Sequence, residues 1–94
     1  MKKSTFNSMI ANIRKGSEVP ISNLVYLSYE EKDIVLREID KTFHQLSKEK
    51  EAVLSYINEH TLSWSEGSYV YDEIVRKENM LDRIEFFLTC DEHD

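Results

Sequence analysis

The chain closes on Cys90-Asp91-Glu92-His93-Asp94, a cluster of side chains that can all bind metal. A closed zinc site needs four ligands placed by the fold, usually drawn from two separate elements. With one cysteine in the chain and no paired histidine motif elsewhere, a solvated acidic tail is the expectation, and no metal ligand is assigned. Asp40 and His44 stand four residues apart, so on a helix they share a face, where a carboxylate could tune a general base. His44 follows Phe43 directly and falls off the apolar seam, which predicts an exposed histidine with a weak ion pair. Di-iron bundles need Glu-x-x-His from two helices, and that motif does not occur here. Gly16 and Gly67 are isolated, so there is no phosphate-cradling loop, and neither G-x-S-x-G nor H-E-x-x-H is present. No catalytic residue and no cofactor is expected, and the chain reads as non-enzymatic.

The elements that would position any site are helical. Two glycines and one proline in 94 residues leave too few turns for a β-sandwich or barrel. Ser28-Tyr29-Glu30-Glu31 is a capping box, followed by Leu36, Ile39, Phe43, Leu46, Val53 and Ile57 at three- and four-residue steps. This predicts a helix over 29–59, about 46 Å long. Lys50 interrupts its seam, either snorkelling outward or pairing with an acid on a facing helix; a break at Ser47 is the alternative to a continuous helix. Ser63-Trp64-Ser65-Glu66 is a second capping box, opening a helix over 64–89 with Val70, Ile74, Leu81, Ile84 and Leu88 as its stripe. Lys77 interrupts that stripe, and Asp72–Arg76 and Glu73–Lys77 are spaced as surface pairs.

A shorter helix is expected over 5–15, capped by Ser4 or Thr5 and stopped at Gly16, with Phe6, Met9, Ile10 and Ile13 on one face. Pro20, Ile21, Leu24 and Leu27 suggest a short helical turn in the connector. The whole is one all-α domain: an antiparallel hairpin of two long helices plus a short N-terminal helix. The short helix can cover only part of the hairpin, and Val35, Leu54, Tyr56, Val75, Met80 and Phe87 widen the two stripes beyond one seam. A wide stripe implies a second neighbour, so a second copy completing a helical bundle is expected. Residues 90–94 are read as a disordered tail.

Charge narrows the function. The net charge is −6, which opposes the phosphate neutralisation that nucleic-acid binding needs. Residues 1–16 carry Lys2, Lys3, Arg14 and Lys15 without an acid, whereas residues 65–94 are strongly acidic. This asymmetry predicts that the first helix lies against the last. A helix-turn-helix over 23–39 would put Glu30, Glu31 and Asp33 at a DNA groove, so no nucleic-acid partner is expected. Asn7, Ser8, Asn12 and Arg14 interrupt any signal-like apolar run, and a cytoplasmic location is expected. The leading expectation is a small protein-interaction module, a regulator or adaptor, with Trp64, Tyr69 and Tyr71 as the partner-binding residues because aromatics dominate interface hot spots. The alternative is peripheral membrane association through the face of Phe6, Met9, Ile10 and Ile13, flanked by cations. Packing of that face in the core is the simpler reading.

Overall fold

The computed structural model describes residues 2–60 and 62–90, which form four helices: α1 (Lys3–Lys15), α2 (Ile21–Leu24), α3 (Tyr29–Asn58) and α4 (Trp64–Cys90). No strand occurs among the described residues, so the all-α hairpin is the architecture. Cys90, expected to open the disordered tail, is instead the last residue of α4, because the helix continues one residue past its expected end at Thr89. Residues 91–94 of that tail lie outside the described residues.

Why α3 begins where it does is local. Ser28 Oγ accepts from the Glu31 N–H at 3.2 Å, and Glu31 Oε1 accepts from the Ser28 N–H at 2.9 Å. Both bonds of the capping box are therefore made, and α3 then runs unbroken through Ser47. At 30 residues it is about 45 Å long, which accounts for the 47 Å long dimension of the molecule. At its end His60 takes a left-handed conformation (φ 61°), and the Leu62 N–H donates to Tyr56 O at 3.2 Å. Ser63 Oγ then accepts from the Glu66 N–H at 3.2 Å, starting α4 where the Ser63–Glu66 spacing places it.

The helices α3 and α4 pack along their length, and α1 packs on α3. Helix α1 starts at Lys3, before the expected Ser4 or Thr5 cap, because the Phe6 N–H finds Lys2 O at 3.0 Å. It stops as expected at Gly16 (φ 69°), whose turn returns N–H bonds to Asn12 and Ile13. In the connector Pro20 precedes α2 rather than opening it. Leu24 and Leu27 are buried there with Val19, while Ile21 faces outward.

The placement of α1 corrects the charge argument. Its ion pair crosses to Glu38 on α3, not to the acidic last helix. What seats α1 is the burial of Met9, Ile10 and Ile13, worth roughly 4–9 kcal/mol as an upper estimate. Burial fixes the face that docks, and summed charge does not. Val35 is fully buried and Thr42 nearly so. The Thr42 hydroxyl is satisfied within α3 by Glu38 O at 2.8 Å.

The resulting core is uneven along the hairpin. The most deeply buried side chains, Ile13, Leu24, Val35, Ile39, Leu81 and Leu88, gather where the first half of α3 faces the second half of α4. Helix α1 ends beside the middle of α3, where Arg14 meets Glu38. Beyond it α3 and α4 continue as two helices alone. The radius of gyration is 15.6 Å, against about 12 Å for a compact domain of this length. The chain is a three-helix head with a two-helix extension. None of its helices, among the described residues, is long and apolar enough to cross a membrane.

Candidate interaction surface

The two-helix extension ends in the 59–63 turn, and there apolar side chains stay in water. Leu54 is 45% exposed, Tyr56 49%, Trp64 73%, Tyr69 71% and Val70 41%. Val70 belongs to the stripe of α4 and Tyr56 to the widened stripe of α3. Both are exposed because α1 does not reach them. Gly67 is what lets the two helices stay close at this end: it is buried, and a methyl on it would run into Ile57.

The three aromatics named from sequence do not form one patch. Trp64 opens α4 and Tyr71 lies seven residues on, nearly the same side and about 10 Å along the axis. Tyr71 is half-buried and packs against the core. Tyr69 is about 140° around the helix from Trp64 and stands exposed. Leu54 and Tyr56 were legible only as an over-wide stripe. A second exposed group, Ile21, Val25, Tyr26 and Tyr29, surrounds α2 and the start of α3.

The face of α1 named as a membrane or packing surface is occupied. Met9 is 2% exposed, Ile10 8% and Ile13 0%, and Phe6 packs half-buried against the core.

Charged side chains mostly stabilise structure rather than create reactive groups. Arg14 Nε and Nη2 each lie 3.0 Å from a Glu38 oxygen, a two-point bond. That hydrogen bond holds the Glu38 carboxyl below its ordinary range, desolvation opposing, and raises Arg14. Lys50 Nζ bonds Glu78 Oε1 at 2.9 Å across the hairpin, which raises Lys50 despite desolvation. The seam defect of α3 is therefore answered by an acid on α4. Arg76 pairs with Glu73 at 2.7 Å rather than with Asp72.

His44 and Asp40 are both exposed. His44 Nδ1 lies 3.9 Å from Asp40 Oδ1 and 3.0 Å from Asp40 O. Cys90 is exposed, and the remainder of its Cys-x-x-His spacing lies outside the described residues. Among the described residues, no group of three or more His, Cys, Asp or Glu side chains could hold a metal ion. Compared with known protein families, characterised proteins and solved structures, the chain matches none.

Proposed function

We propose that this chain is a non-enzymatic interaction module, a regulator or adaptor that works by binding another protein at the free end of its hairpin. The observation that carries this reading is the exposure of Leu54, Tyr56, Trp64, Tyr69 and Val70 around one turn, where no third helix covers the hairpin. These side chains ring the end of the hairpin on several sides rather than forming one patch, and Trp and Tyr supply contact area at low entropic cost. A second copy of the chain is the simplest occupant, because two hairpins side by side make a four-helix bundle.

Membrane association through α1 is the weaker reading. It requires Met9, Ile10 and Ile13 to leave the core before they could meet lipid. A cytoplasmic setting and the absence of a nucleic-acid partner belong to this proposal as well.

The test is a photo-crosslinking amino acid placed at Tyr69, with the exposed Asp33 as control, in living cells. One discrete adduct from position 69 alone supports the proposal, and an adduct of twice the chain mass identifies the partner as a second copy. No adduct, or the same ladder from both positions, overturns it. Trp64 offers an in vitro check, since its emission should shift to the blue when the surface is covered.

A further inference from the structure

A cleft of about 570 Å³ lies where the end of α1 and the start of the connector pass over the middle of α4. One wall is Lys15, Gly16, Ser17 and Glu18, and the other is Arg76, Lys77, Asn79, Met80 and Arg83. The composition of the second wall is unusual for this chain. Arg76, Lys77 and Arg83 are all the cations of α4, and none of that helix's acids, Glu66, Asp72, Glu73, Glu78, Asp82 or Glu85, lines the cleft. In a protein of net charge −6, the cleft holds four cations against one acid, Glu18.

The placement follows from helix geometry. Arg76, Asn79, Met80 and Arg83 fall at i, i+3, i+4 and i+7, a single face of α4. Lys77 is held from beside: a methyl on Gly16 would lie 2.7 Å from its Cγ and Cδ, so its stem rests against the α1 stop. Arg76 is oriented by Glu73 at 2.7 Å. Lys15, Lys77 and Arg83 carry no ion pair with any described residue. Four like charges around one opening repel each other, and a multivalent anion would relieve that repulsion.

From these observations we infer that the cleft binds a small phosphate-bearing anion. Its volume suits a compact ligand rather than an extended chain. Arg76 and Arg83, whose backbone positions lie about 10 Å apart along the helix, offer the planar forks that grip phosphate oxygens in pairs. The lysines and the Asn79 amide add single donors between them.

The probe is inorganic pyrophosphate, titrated calorimetrically into the full chain at low ionic strength. Arg83→Gln and Lys77→Gln should each weaken binding about tenfold, while Lys48→Gln, an exposed cation elsewhere, should leave it unchanged. Glu18→Gln should tighten binding several-fold by removing the acid that lines the cleft. Thermal melts of the same variants separate loss of the site from loss of the fold, and Arg83→Lys should recover part of the affinity. Equal binding by all variants, or no heat at millimolar pyrophosphate, overturns the inference. So does tighter binding of a short poly-glutamate peptide than of pyrophosphate, which would assign the cleft to an acidic protein segment.

Discussion

The ammonium of Lys50 sits 2.9 Å from Glu78 Oε1, joining α3 to α4 where Lys50 interrupts the α3 seam. Both side chains are largely covered, at 27% and 19% exposed. Removing one partner leaves a desolvated charge, whereas removing both restores an apolar seam. Lys50→Met and Glu78→Met should each lower the melting temperature, and the double variant should equal or exceed the parent. A double variant less stable than either single one would show that the pair is net stabilising. The raised pKa of Lys50 fixes the pH window. Its contribution is complete below its ordinary value of 10.5 and fades as pH rises above it.

Acid should act through Glu38. Its folded-state pKa is lowered by the Arg14 bond, so its stabilisation is present above its ordinary value of 4.5 and is lost as pH falls below that. Melts from pH 6 to pH 3 should slope downward, and Glu38→Gln should flatten the acid limb while leaving Lys50–Glu78 in place.

Gly67 and Ile57 are sterically coupled across the turn end. Alanine within a helix ordinarily gains about 1 kcal/mol over glycine, yet Gly67→Ala should cost about 1–2 kcal/mol because overpacking outweighs propensity. A double-mutant cycle checks the cause: Ile57→Ala should cost less in the Gly67→Ala background, since the new methyl occupies vacated space. Additive costs would place the strain elsewhere.

Among the described residues two adopt left-handed backbone, Gly16 and His60, and they should respond in opposite directions. Gly16→Ala meets both the wrong φ and the Lys77 stem, so a loss of at least about 1 kcal/mol is expected. His60 already bears that conformation with a side chain, so His60→Gly should gain up to about 1 kcal/mol. Denaturant midpoints of the two variants check both signs.

Much of this architecture is legible in the residues. The Ser28–Glu31 box, the Gly16 stop and the continuous seam through Ser47 each have a local cause that acts before tertiary packing. Lys50 could be read as paired, but its partner could not be named. Finding Glu78 needs the register of two helices, which the turn at 59–63 sets. The docking of α1 on α3 was misread because charge sums carry no geometry, while Val35 and Thr42 formed a second buried face whose meaning appears only in three dimensions. Trp64 and Tyr69 could be placed near the turn from sequence, but their exposure is visible only in the structure. Tyr71 looked equivalent in sequence but is half-buried against the core. The basic cleft had one visible signal, Lys77 breaking the α4 stripe. Its other wall comes from residues about 60 positions away.

The three-turn α1 is too short to persist alone in water and borrows its order from α3. It is therefore the natural first unit to detach in native-state fluctuations, ahead of the hairpin whose long helices sustain one another. Amide protons near Met9–Ile13 should exchange through such partial opening, while those near Ile39 and Leu81 wait for global unfolding. Each opening would also dismantle one wall of the cleft at Gly16, so an anion held there should slow exchange in α1 while leaving the hairpin tip at Trp64 unaffected.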